Sequence, residues 1–216
     1  MAIFFSSLLL GYSGALMPGP LLTYDIERSL QRGWKAGLLV PLGHVLLEML
    51  VVLLILLGMG SFLNQPWPKI VILFVGGLVL FWFGADMIKN AIKGSIKLAV
   101  RNDASPKRGE NTEIIVKSAL ISLLNPYFLL WWATIGLGFM LANVSFGIWG
   151  VVLFYLGHAA ADISWYFVVS LLCDRIGRLM KGKAYRITIA VLGTALAFFA
   201  AKFIIDGMTQ FIHLVS

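Results

Sequence analysis

Leu16-Met17-Pro18-Gly19-Pro20 interrupts the first apolar stretch of this chain, and Leu124-Asn125-Pro126-Tyr127 interrupts the fourth. In hydrocarbon, backbone N–H and C=O groups without partners are costly, so a helix is broken there only where protein or a polar cavity re-satisfies them. Gly19 and Asn125 suit an N-cap, and Pro20 and Pro126 suit the first helical position, where a missing N–H costs nothing. Each break is therefore expected to leave a half-helix N-terminus inside the bundle, with partial positive charge and free N–H groups able to meet an anion. The competing interpretation is that the prolines only kink helices for packing.

The setting of the breaks is a membrane. Of 216 residues, 60% are hydrophobic and 12% charged, and the mean hydropathy of +0.91 lies outside the range of soluble domains. Six segments, at residues 3–24, 36–58, 70–88, 114–140, 146–172 and 187–205, have the roughly 20 mostly apolar residues that a span needs. All but Lys69 and Lys202 of the 17 basic residues fall on alternate loops. These hold Arg28, Arg32 and Lys35; Lys89 through Lys117; and Arg175 through Arg186. The positive-inside rule puts those loops in the cytoplasm and both termini outside. The net charge of +7 then expresses topology and attraction to anionic lipid, and no nucleic-acid partner is expected. A single cysteine, Cys173, excludes an internal disulfide. No nucleophile elbow, phosphate loop or cofactor motif stands out, and neither an enzyme nor a cofactor is expected.

The two halves resemble one another. Leu42-Gly43-His44 followed by Glu48 matches Leu156-Gly157-His158 followed by Asp162, and the stretch from Gly76 aligns loosely with that from Gly193. With three spans in each half, the second copy must cross in the opposite sense. The expected architecture is all-α, with six transmembrane helices as two inverted three-helix repeats and the first and fourth helices broken at the proline motifs. The boundaries are 1–97 for the first repeat, 98–113 for a cytoplasmic loop and 114–216 for the second repeat. Substrate sites of such transporters lie near the midplane between the copies.

Glu48 and Asp162 fall near the bilayer centre at about 1.5 Å per residue, where an ionisable group by default faces a polar pathway or a partner. His44 with Glu48, and His158 with Asp162, are four residues apart and share a helix face, so each pair is expected to form a hydrogen-bonded unit. Three roles are open: a proton relay, a divalent-metal site of two imidazoles and two carboxylates, and static glue between helices. Asp25 and Glu27, beside the basic loop, are expected to be solvated charges.

These pieces, in order, resemble one family. Met17-Pro18-Gly19-Pro20, the basic loop ending Arg32-Gly33-Trp34-Lys35-Ala36-Gly37, Gly43 with Glu48 five residues on, and Asn125-Pro126 are similar to the LysE-type (LysE/RhtB) amino-acid exporters across essentially the whole chain. The resemblance implies a multi-pass protein of the cytoplasmic (inner) membrane exporting amino acids or related solutes by antiport with protons or sodium. It also implies a translocation route lined by Pro18, Gly19, Pro20, Asn125 and Pro126. Two departures leave the solute open: Leu21 stands where many members have Asn, and His44 and His158 are not general in the amino-acid branch. The expectation is an amino-acid exporter in which Glu48, Asp162, His44 and His158 handle coupling protons. The alternative is a divalent-metal exporter with those four as ligands. A homo-oligomer is left open.

Overall fold

In a computed structural model, residues 1–63, 65–95, 108–176 and 182–215 are described. Lys97, Arg101, Lys107, Arg178, Lys181 and most of the expected 98–113 loop lie outside them. The described residues form helices α1 (Ala2–Ala15), α2 (Pro20–Arg32), α3 (Trp34–Phe62), α4 (Pro66–Lys93), α5 (Glu110–Leu123), α6 (Pro126–Val144), α7 (Gly147–Ile176) and α8 (Gly182–Val215). Five of them, α3, α4, α6, α7 and α8, are long and apolar enough to cross a membrane, and six spans result if α1 and α2 are taken as one broken span.

Both breaks are present. α1 ends at Ala15 and the chain restarts at Pro20, with Gly19 extended at the N-cap (φ −162°, ψ −177°) and α2 turned by 85° from α1. The span expected over 3–24 is thus broken where the proline motif places the break, and its two helices stand at nearly a right angle. The helix also continues past Tyr24 to Arg32, so Asp25, Glu27, Arg28 and Arg32 are helical rather than loop residues. The reason lies in the spacing of α2, whose buried residues Leu21, Leu22, Asp25, Ile26, Ser29 and Leu30 form one continuous stripe at helical period. The expected fourth span is likewise two helices, α5 ending at Leu123 and α6 starting at Pro126.

The helices pair reciprocally across the two halves. α1 lies along α7, α5 along α3, and α4 along α8. Glycine permits each close approach: a Cβ added at Gly157 would stand 2.3 Å from Phe4 O, one at Gly43 2.1 Å from Ile115 O, and one at Gly84 2.7 Å from Gly193 O. Backbone cannot yield as a side-chain tip can, so Gly157→Ala or Gly43→Ala should cost about 1–3 kcal/mol, the usual range for overpacking. A lowered midpoint of thermal unfolding in detergent is the expected reading, and an unchanged midpoint would show that the contact is not tight.

Two links fix one end of the bundle. Arg32, closing α2, holds Glu110 at the start of α5 in a two-pronged ion pair (Nε to Oε1 2.9 Å, Nη2 to Oε2 3.0 Å). Arg186, in the first turns of α8, donates to the carbonyls of Ala91 and Ile92 at the end of α4. These arginines gather the basic helix termini at a single end, called here the basic end. One apolar core there includes Leu22, Ile26, Val40 and Ile189. A second, rich in aromatic residues, fills the opposite end with Val51, Val52, Ile55, Trp132, Met140 and Phe154.

Candidate functional site

The proline breaks meet in space. A Cβ built on Gly19 would lie 3.7 Å from Asn125 Nδ2, so the two half-helix starts are neighbours although 106 positions separate Gly19 from Asn125. Asn125 caps α6 by accepting the Tyr127 N–H on Oδ1 at 3.1 Å. Its Nδ2 faces Gly19. In α2 the N–H of Thr23 returns to Gly19 O at 3.1 Å, while those of Leu21 and Leu22 have no intrahelical acceptor by helix geometry. Pro18, Gly19, Leu21, Leu22 and Asn125 line a central cavity. Pro20 and Pro126 do not line it. Pro126 instead is buried and packs against Gly76 of α4, where an added Cβ would come within 2.2 Å of it.

The four ionisable residues line the same cavity. They do not form two separate pairs, as their sequence spacing suggests; they form one cluster tied across the halves. The shortest contact is His158 Nε2 to Glu48 Oε1 at 2.8 Å. His44 Nε2 lies 3.3 Å from the same oxygen and 3.9 Å from Asp162 Oδ1, and His158 Nε2 lies 3.5 Å from Asp162 Oδ2. Glu48 and Asp162 are each 1% exposed.

The hydrogen bonds assign the ring tautomers. Ser122 Oγ gives its proton to Ser118 O at 2.8 Å and therefore accepts one from His44 Nδ1 at 2.7 Å. A neutral His44 then turns a bare Nε2 toward Glu48 Oε1, lone pair to lone pair, which is repulsive unless a proton or another cation lies between them. On the other side, His158 uses Nε2–H toward Glu48, and among the described residues its Nδ1 has no hydrogen-bond partner. Glu48 Oε2 and Asp162 Oδ2 also have none. Buried polar atoms left open in this way are costly, and here they are two carboxylate oxygens and a ring nitrogen of one cluster. His44, Glu48 and Asp162 alone bring three donor atoms within 4.8 Å of one another.

Two adjacent tryptophans close the cluster. Trp131 stacks on His158 with ring centroids 4.4 Å apart, and Trp132 meets the same ring edge-on at 5.4 Å and approaches Glu48 Oε1 through Nε1 at 3.4 Å. Neighbours in an ordinary α-helix point about 100° apart. A π-helical turn at Trp132–Gly136 accompanies the turning of both rings inward. The cavity they enclose is about 40 Å³, room for a few water molecules at about 10–15 Å³ each on this measure.

No sequence pattern singles out the tryptophans or Ser122, and the expectation for Asp25 is corrected. Asp25 is fully buried, not solvated, and accepts the Ser170 hydroxyl at 3.0 Å. A signal was available: Leu21, Asp25 and Ser29 are spaced by four alongside Leu22, Ile26 and Leu30, a pattern that marks a buried helical stripe once the helix is continued beyond Tyr24.

Comparison with known proteins follows the same lines. Two arginine exporter proteins ArgO are each 27% identical to this chain. That of Klebsiella pneumoniae covers 99% of this chain and 98% of its own length, and that of Escherichia coli 96% and 95%. The chemotactic transduction protein ChpE of Pseudomonas aeruginosa is 27% identical, with 91% of this chain and 94% of ChpE covered. No solved structure matches. The family model of the LysE type translocators matches residues 12–207, which include both proline breaks and all four members of the buried cluster, and the chain belongs to that family.

Proposed function

We infer that this protein exports an amino acid or a close analogue from the cytoplasm, by alternating access and in exchange for protons. The observation that carries this inference is that one cavity is lined by both half-helix starts and by His44, Glu48, His158 and Asp162. Membership in the translocator family and the full-length similarity to arginine exporters support the solute class. The solute carboxylate would sit against the free N–H groups of Leu21 and Leu22 and the Asn125 amide, where the α2 dipole favours an anion. Its ammonium group would take the place that the His44 lone pair and the two carboxylates reserve for a cation. Proton and ammonium then exclude one another, and mutual exclusion at one site gives antiport when the site changes access only with one of them bound.

The reciprocal pairing of α1 with α7 and α5 with α3 supports two inverted repeats, and the clustered basic residues support a cytoplasmic basic end with both termini outside. The bilayer is the cytoplasmic membrane in this account. Purified protein reconstituted into liposomes with an imposed pH gradient, and offered labelled amino acids in one panel and manganese, nickel and zinc in another, tests the inference. Saturable amino-acid flux that follows the pH gradient is expected. Saturable metal flux without amino-acid flux would replace this function by metal export.

A further inference from the structure

One face of α7 carries a line of buried polar residues that the central site does not use up. His158, Asp162, Tyr166 and Ser170 recur every four positions and are 2%, 1%, 4% and 0% exposed. Successive members are one turn apart, about 6 Å of rise. The line starts in the cluster and runs toward the basic end. There Ser170 Oγ donates to Asp25 Oδ1 at 3.0 Å. Tyr166, between the ends, is packed in the same buried core as Leu22 and Ile26 of α2, the helix that carries Asp25.

Asp25 is an unusual group to find there. It is fully buried, and among the described residues it has no ion-pair partner. The nearby cations of its own helix are engaged elsewhere, Arg28 with Glu27 and Arg32 with Glu110. Among the described residues, the titratable side chains packed into the core that α2 joins here are Tyr24, Tyr166, Cys173 and Tyr185, all ordinarily neutral at pH 7. A buried carboxylate without a counter-charge is costly, and taking a proton removes that cost. The hydroxyl of Ser29, 1% exposed, has no hydrogen-bond partner beside it. Gly37 of α3 lets the chain close over this place: a Cβ there would come within 2.2 Å of both Ser29 Oγ and Ser170 Oγ.

The corresponding positions on α3 offer no such line. One turn to either side of the His44–Glu48 pair are Val40 and Val52, both buried. The end of the bundle opposite the basic end is sealed by the aromatic and aliphatic core around Trp132, Phe154 and Met140.

We propose that Asp25 is a second proton-binding site, joined to the central cluster through Tyr166 and Ser170, and that this face of α7 is the path by which the cluster exchanges protons with the basic end. The proposal rests on the proton-exchange function inferred above. In one transfer toward the basic end, Asp162 gives up its carboxyl proton to the Tyr166 oxygen, Tyr166 releases its own proton to Ser170 Oγ, and Ser170 passes its proton to the Asp25 carboxylate. Both hydroxyls finish with one proton, and one positive charge has moved from Asp162 to Asp25.

The test uses the full-length protein in liposomes with a labelled mixture of the protein amino acids. Two readouts are taken: flux driven by a pH gradient, and one-for-one solute exchange at uniform pH, which moves no net proton. Asp25→Asn and Tyr166→Phe should each lower pH-driven flux about tenfold or more while leaving exchange within about twofold. Full pH-driven flux in both variants, with Glu48→Gln inactive, would overturn this path and leave the proton-exchange function standing. Full flux in Glu48→Gln as well would overturn both. Loss of exchange together with flux in both variants would make Asp25 and Tyr166 structural and overturn the path. If Asp25→Asn does not fold, Tyr166→Phe decides alone, since it removes one oxygen and keeps the ring.

Discussion

Replacing Glu48 with glutamine is expected to reduce pH-driven export to background while the protein still folds and inserts. Glu48 Oε1 is where the two halves are joined: His158 reaches it at 2.8 Å, His44 at 3.3 Å and the Trp132 indole at 3.4 Å. Glutamine keeps the shape, so the aromatic packing around the cluster persists, but it can neither take up nor release a proton. Removing one partner of a buried charged pair costs about 3–5 kcal/mol of folding stability, a cost that the isosteric amide lowers by keeping hydrogen bonds; flux is lost because the amide cannot titrate. Asp162→Asn should behave alike, since both its oxygens face the imidazoles. Parallel assays of pH-driven flux and of solute binding separate coupling from recognition. Full pH-driven flux in both variants would leave the cluster as static glue between helices.

The double variant Gly19→Ala, Pro20→Ala should weaken solute binding by tenfold to about a thousandfold. Helix propensity favours Ala over Gly by about 1 kcal/mol and over Pro by about 3 kcal/mol, so the change pulls residues 16–21 toward one continuous helix. Continuity would place intrahelical acceptors opposite the N–H groups of Leu21 and Leu22, the donors assigned to the solute carboxylate. Sterically the alanine at Gly19 is tolerated, because its Cβ would sit at an ordinary 3.7 Å from Asn125 Nδ2 and the backbone there is extended. The effect is therefore one of helix continuity rather than of clash. Packing of Leu21, Leu22, Ile26 and Leu30 into the basic-end core resists it, which is why the upper value is not expected in full. Equilibrium binding to purified protein is the measurement, and wild-type affinity in the double variant would reduce the first break to a kink.

The breaks were legible in the sequence because proline and glycine carry their own backbone chemistry: the N-cap at Asn125 and the first-position prolines are where the residue types place them. The membrane-length apolar helices were legible from hydropathy. The 85° turn after α1 was not. Its direction is set by which face of α2 the other helices bury, a tertiary fact, and ending the first span at Tyr24 left Asp25 and Ser29 outside the buried stripe to which they belong. The cross-pairing of His158 with Glu48 was hidden for a related reason. Spacing by four reports neighbours on one helix, and the shortest bond of the cluster runs between helices. The adjacent tryptophans stand beside a π-helical turn that no residue pattern announces.

The central claim is that solute and proton compete for one site made from both breaks and the buried cluster. Proton release on solute binding tests it most directly, measured in weakly buffered detergent solution with purified protein titrated by the amino acid found in the flux panel. The account predicts that protons are released as the solute binds, and that the release disappears in Glu48→Gln. Solute binding of normal affinity with no proton release from the wild-type protein would contradict it.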